Sequence, residues 1–463
     1  LEAEELTGLD LPSGGIVMPV AELDRLIADA IIGLDTLWGG DVMCPSGTGR
    51  FIADSWFSDE ELPSAYVDPT AAPVRQSGGL SAESPDVPAI DAYLAAVDVG
   101  LAIQGVRELG PRLPGVRGAF VAGMSQCLDV MWDLAMETLG RGDPVPYSRS
   151  VEASCARNPS PSDPSDKVAA VGDLLSDAGY RADSKAELAD AVEAWRRDRL
   201  VPSATIPALA KTLIAELDAG AVANLLPYLP GEMADVPRAN VEFLPIKDAW
   251  FSGSMNYVGR ARDESGRPLY EATYELNASL EISLPEFHDL VSHEVVPGHV
   301  TTFAYVQNLY VNGRLGFEGT VLTMNTRYST LAEGIANNAA LIARGITEID
   351  QLPDSDLQIG ALLSRLQDDA KNQASFLTWG EGVDQPDVAA ELRRDYLVTE
   401  ERSEKLSGPW AHHPLLGRMY LPAYRAGTER VTELRRQHGP EIILPALYGI
   451  HGLVDVATID LVL

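Results

Sequence analysis

His293-Glu294-Val295-Val296-Pro297-Gly298-His299 follows Leu280 to Ser292, where Ser283 suits a helix N-cap and Pro285 and Glu286 suit the first turn. Leu290, Val291 and Val295 continue an apolar face through it. Two imidazoles and a carboxylate this close on a helix are donors of the kind a divalent zinc site uses. Neutral ring nitrogens bind the cation, and an adjacent Glu can take a proton from water. The spacing departs from H-E-x-x-H, whose histidines share one helical face four positions apart. Here they lie six apart, which at about 100° per residue turns the second ring about 120° away from the first. Pro297 cannot donate to the carbonyl of His293, so a kink or bulge is required. Gly298 permits backbone angles that other residues avoid. The expectation is a break that swings His299 back toward His293.

A third ligand is needed, and Glu333 is the candidate, in Tyr328-Ser329-Thr330-Leu331-Ala332-Glu333-Gly334-Ile335-Ala336-Asn337. Its neighbours are small or apolar, so burying its carboxylate without a partner would be costly. A metal removes that cost; an ion pair with Arg327 or Arg344 is the alternative. H-E-x-x-P-G-H followed by E-G-x-A resembles the bacterial domain-of-unknown-function 885 family, zinc-metallopeptidase-like proteins of the gluzincin type. The resemblance covers about residues 240–463. Tyr424-Arg425-Ala426-Gly427, ahead of Leu434 and Arg435, resembles the family's Y-x-x-G. The resemblance implies His293, His299 and Glu333 as ligands of Zn2+ and Glu294 as general base. Tyr424 becomes the candidate donor to a tetrahedral oxyanion, with His412 and His413 as alternatives. The chain departs from the pattern at Val300, where a second histidine is common, and at Thr302, where Gln or Glu is common. Those departures keep the substrate open.

Ligating histidines need partners that orient them. Asn337, one turn after Glu333, and Asp289, one turn before His293, are the candidates. His288, five positions before His293, falls on a different face.

With 463 residues, 46% of them hydrophobic, the chain can bury a large core. No uninterrupted apolar run reaches the length of a membrane span. A net charge of −33 argues against nucleic acid and against an anionic membrane surface as partners. Cys44, Cys127 and Cys155 are too few and scattered for a disulfide framework or a cysteine zinc site, so a reducing, cytoplasmic compartment is expected. The stretch Leu1–Pro19 is acidic and Gly-containing, unlike a signal peptide, although a leader before Leu1 is compatible with the sequence.

Apolar spacing predicts helices over 20–38, 89–109, 116–140, 167–178, 185–198 and 205–226. A Gly/Pro/Ser-rich irregular connection runs over 39–88, and a Pro/Ser-rich linker over 157–166. The block Arg196, Arg197 and Arg199 reads as a solvated face. Short apolar runs at 241–246, at Ala249-Trp250-Phe251 and at 274–282 predict a small sheet leading into the metal helix. Its edge would hold a substrate backbone by strand addition, or else form a covering hairpin. Helices are expected on to about 310, then over 321–345, 355–379, 386–404, 415–437 and 440–450, with 407–414 as a loop.

The sequence therefore predicts a mainly α (α+β), metallopeptidase-like fold with a small β-sheet beside the active-site helix. It divides into 1–166, an N-terminal helical region; 167–240, helices completing that half; and 241–463, the catalytic metal-binding region. The function expected is a zinc-dependent hydrolase acting on a peptide or small amide. One alternative is a metal-dependent amidase or other biosynthetic enzyme for a small molecule. The other is a non-catalytic binding protein on a vestigial scaffold.

Overall fold

A computed structural model describes residues 20–46, 49–246, 253–277, 281–321 and 323–463. The stretch Leu1–Pro19 and the run Ala249-Trp250-Phe251 lie outside them. The fold is mainly α with one small sheet, as the apolar spacing predicts. In the N-terminal half, α1 (Val20–Leu37) and α2 (Gly115–Thr138) carry Ile27, Ile31, Leu128 and Met131 into the core. The sheet comprises β1 (Val241–Ile246), β2 (Gly253–Tyr257) and β3 (Ala272–Asn277) in the order β1-β3-β2. β1 runs parallel to β3 with Val241 opposite Ala272, and β2 antiparallel with Met255 opposite Tyr274.

The sheet leads into α3 (Leu284–Glu294) and α4 (His299–Val311). Ser283 caps α3 by accepting from the Glu286 amide, and its hydroxyl donates back to the Glu286 carboxylate at 2.7 Å. Arg196 comes from the preceding half and grips that same carboxylate at 2.9 Å. Arg199 pairs with Asp356 at 2.7 Å. The expected solvated arginine face is thus partly an internal clasp, made because Glu286 and Asp356 lie across from it.

Three further helices complete the site's frame: α5 (Arg327–Asn337), α6 (Ser355–Ser375) and α7 (Leu421–Gln437). The crossing of α5 and α7 explains both motif glycines. A Cβ on Gly334 would lie 2.2 Å from the Gly427 carbonyl oxygen, and one on Gly427 would lie 1.8 Å from that of Thr330. Only glycines allow so close a backbone approach. Gly427→Ala is expected to cost about 1–3 kcal/mol by forcing the helices apart. Denaturant unfolding of the variant checks this, and an unchanged midpoint would refute it.

Several boundaries differ from expectation for local reasons. The helix expected over 89–109 is two, Val87–Ala96 and Val99–Leu109, because Asp98 caps the second by accepting from the Leu101 amide. The helix expected over 321–345 starts at Arg327, where Thr326 and Ser329 form a reciprocal cap, and restarts at Ala339. The helix over 386–404 breaks before Thr399, which caps Glu400–Lys405. The expected loop at 407–414 includes the wide helical turn Leu406–Trp410, bent at Gly408.

The largest apolar cluster runs from Leu23 to Ile459 and includes Phe287, Val291, Val295, Val296 and Val300, so packing crosses the expected boundaries at 166 and 240. Residues 157–166 are pinned to α6 rather than free, with Ser162 N–H donating to Gln373 at 2.9 Å and Asn372 donating to the Ser160 carbonyl at 3.0 Å. Among the described residues no single helix is long and apolar enough to cross a membrane.

Candidate metal centre

The motif folds as helix, break, helix. α3 ends at Glu294, the Val296–Pro297 peptide is cis, and Gly298 precedes α4. A Cβ at Gly298 would sit 1.8 Å from the His293 carbonyl oxygen, so the turn admits only glycine there. Its backbone groups find other partners. Gly298 N–H donates to the Ser292 carbonyl at 3.1 Å, Thr302 Oγ1 donates to the Gly298 carbonyl at 2.9 Å, and Tyr448 donates to the Pro297 carbonyl at 2.8 Å. The two motif imidazoles consequently face each other, with ring centroids 4.8 Å apart and planes at 89°.

α5 brings Glu333 against both. Its carboxylate oxygens lie 3.5 Å from His293 Nε2 and 3.6 Å from His299 Nε2. One donor atom from each of the three residues falls within 4.8 Å of the others. Donors bound at about 2.0–2.1 Å in a tetrahedron lie about 3.3–3.4 Å apart, close to the 3.5 and 3.6 Å between the two imidazoles and the Glu333 carboxylate. The buried Glu333 Oε2 has no hydrogen-bond partner, so that oxygen is uncommitted and could bind a cation. Arg327 contacts the Ala153 carbonyl and Gln126, and Arg344 contacts Glu216 and His288, so neither supplies the alternative ion pair.

Burial holds His293 well below the usual imidazole range and His299 at about 3, keeping both rings in the neutral form that binds cations. It pushes Glu333 up to about 7 against the opposing hydrogen bond from Tyr420. His293 Nδ1 lies 2.8 Å from Asn337 Oδ1, while the His299 ring stacks on Phe303, one turn along α4, at 5.8 Å.

Glu294 turns away from His293, His299 and Glu333 to β2, where its Oε2 accepts from the Met255 amide at 3.1 Å. Burial and the neighbouring Glu333 carboxylate raise it to about 8. The Met255 carbonyl accepts from Arg50 at 2.7 Å, and Arg50 pairs with Asp54 at 2.9 Å. These groups line one cavity of about 120 Å³ together with His293, His299, Glu333, Tyr420 and Tyr424. Arg50 and Asp54 come from the stretch 39–88, expected as an irregular surface connection. It instead carries short helices at Ser64–Val67 and Ala71–Ser77 and buries Ile52, Trp56 and Phe57, and its sequence shows no periodic signal around Arg50.

Tyr424 stands in this cavity over Lys371, whose Nζ is 3.2 Å from its ring centroid. Tyr420, one turn earlier, donates to Glu333 Oε1 at 2.6 Å. Its spacing from Tyr424 was the available signal, since residues four apart share a helical face. Tyr420→Phe is expected to weaken zinc about tenfold or more by freeing the carboxylate to rotate. Competition with a chromophoric chelator measures it, and an unchanged Kd would refute it. His412 is exposed with Nδ1 near the Gly408 carbonyl, and His413 stacks on Phe51 with Nε2 at 3.1 Å from Ser81, so neither lines the cavity. Asp289 is buried toward Ser364 and Arg365 of α6; the His293 ring is oriented by Asn337 instead.

No protein-family profile and no curated protein sequence matches the chain. Solved structures do resemble it in fold. One is described as a "putative lipoprotein" from Colwellia psychrerythraea, with a TM-score of 0.52 and 14% identity over 84% of this chain. This chain spans 65% of that protein's length. Another is described as a "putative lipoprotein of unknown function" from Shewanella oneidensis, with a TM-score of 0.49 and 13% identity, covering 86% of this chain and 80% of that one. At 14% identity the likeness to the Colwellia psychrerythraea protein concerns the fold alone.

Proposed function

We propose that the chain is a zinc-dependent hydrolase that cleaves a peptide or amide bond, with His293, His299 and Glu333 holding the cation. The carrying observation is the convergence of three donors within 4.8 Å at the wall of a cavity that Glu294 also lines. When bound, the cation supplies a Lewis acid and brings the pKa of water down to about 7. Glu294, held by the Met255 amide, accepts the proton of the attacking water and returns it to the leaving amine. Tyr420 is committed to Glu333, which leaves Tyr424 to donate to the oxyanion. Tyr424→Phe is expected to lower kcat by about 10²–10³-fold with zinc content unchanged; wild-type kinetics would clear Tyr424 of the role. Bound zinc, together with turnover of a mixed peptide library that Glu294→Gln abolishes, tests the whole reading.

A second reading, an amidase for a small molecule, draws on the same cavity. On β2, the backbone N–H and C=O of Met255 are occupied by Glu294 and Arg50, which closes that residue to strand addition. Turnover of small N-acyl amides without turnover of peptides would select it. A vestigial binding scaffold has no use for the base Glu294.

For location, we infer the cell envelope rather than the expected cytoplasm, because the neighbour from Colwellia psychrerythraea is described as a "putative lipoprotein". Detection in the soluble cytoplasmic fraction of the native host would overturn this.

A further inference from the structure

Behind His293 lies a hydrogen-bond chain whose donors and acceptors can be assigned without ambiguity. Thr428 Oγ1 donates to the Tyr424 carbonyl at 2.8 Å, so toward Asn337 its oxygen only accepts. The Asp368 carboxylate likewise only accepts while ionised. Both lie 2.7 Å from Asn337 Nδ2, which fixes the amide with its NH2 toward them and its oxygen toward His293. Asn337 Oδ1, 2.8 Å from His293 Nδ1, then requires Nδ1 to carry the ring proton. That leaves the lone pair on Nε2, the atom 3.5 Å from Glu333. Lys371 keeps Asp368 in place through a contact of 3.1 Å, and Arg365 holds the Asn337 backbone carbonyl. Asn337, Asp368, Lys371 and Thr428 are all buried, so water does not compete for these bonds.

We propose that Asp368 and Thr428 are positioning residues that act through Asn337 to lock His293 in the Nδ1–H tautomer, presenting Nε2 to the cation. The zinc function rests on the reading above; the tautomer lock does not.

The variant Asp368→Asn tests it directly. Lys371 is a donor only, so the new amide turns its oxygen to Lys371 and its NH2 to Asn337. Asn337 is thereby driven to flip and present its own NH2 to His293. The full-length chain, labelled with 15N-histidine and free of metal, is read by long-range 1H–15N correlation, and zinc Kd by competition with a chromophoric chelator. In the wild type, His293 is expected wholly as Nδ1–H. In Asp368→Asn the Nε2–H form is expected to appear, with zinc about 10–100-fold weaker. Thr428→Val, a milder change, is expected to move both readouts in the same direction by less, and serves if Asp368→Asn fails to fold. A folded variant whose His293 stays Nδ1–H, with wild-type zinc affinity, overturns the proposal and leaves the zinc site standing. A tautomer flip in a chain that binds no zinc even as wild type supports the lock and removes the zinc reading.

Discussion

Glu294→Gln is expected to keep its zinc and lose turnover by about 10²–10⁴-fold, the contribution of a positioned proton acceptor. The substitution isolates that role unusually well here. The amide oxygen of Gln can still accept from the Met255 N–H that now meets the carboxylate at 3.1 Å, so the link to β2 survives. Glu294 is not among the three converging donors, so the ligand set is untouched. The Gln amide is uncharged and of the same size, so the substitution adds no buried charge that would weaken folding. Metal analysis and steady-state kinetics on the same preparation decide the matter. Undiminished turnover would sink the assignment of Glu294 as the base, and loss of zinc along with activity would recast it as structural.

The second large effect concerns Glu333. Glu333→Ala leaves two imidazoles as the only protein ligands and is expected to bring zinc content to near zero. A thermal measurement gives an independent view. Ligand that binds only the native state stabilises it by about 4 kcal/mol at a thousandfold excess over Kd. The wild-type Tm should therefore rise with zinc and fall when a chelator removes it, while the variant's Tm stays level under both treatments. In apo protein the substitution removes a carboxylate that burial pushes up to about 7, and leaves the Tyr420 hydroxyl without its acceptor. These two effects oppose each other, so the metal-free Tm is a poor guide and the zinc-dependent shift is the quantity to read. Full zinc retention at unchanged affinity would remove Glu333 from the site.

What the sequence discloses about this site follows from the range of the forces involved. The break at Pro297 and Gly298 is legible because a missing amide hydrogen and a missing Cβ act within one turn of helix. Glu333 is legible because a carboxylate in an apolar run needs a partner wherever the chain goes. Asp289 misleads for the complementary reason: helical spacing puts it one turn from His293, but its partners Ser364 and Arg365 lie on a helix that spacing cannot see. His413 resembles a free loop histidine until Phe51 packs flat against it. Arg50 and Asp54 are hidden most completely. They sit in a segment without periodicity, and their role depends on β2 arriving beside them.

That arrival has a temporal side. Arg50 meets the Met255 carbonyl from 205 positions away, and Tyr424, on α7, also lines the same cavity. Contacts so distant along the chain form only after a long loop has closed, and loop closure is what slows folding. During synthesis the wall bearing Arg50 leaves the ribosome well before the strand it will hold. The three cation donors emerge later still, and the tyrosine side of the cleft after them. A nascent chain therefore cannot present a finished cavity until Tyr424 has emerged and α7 has packed.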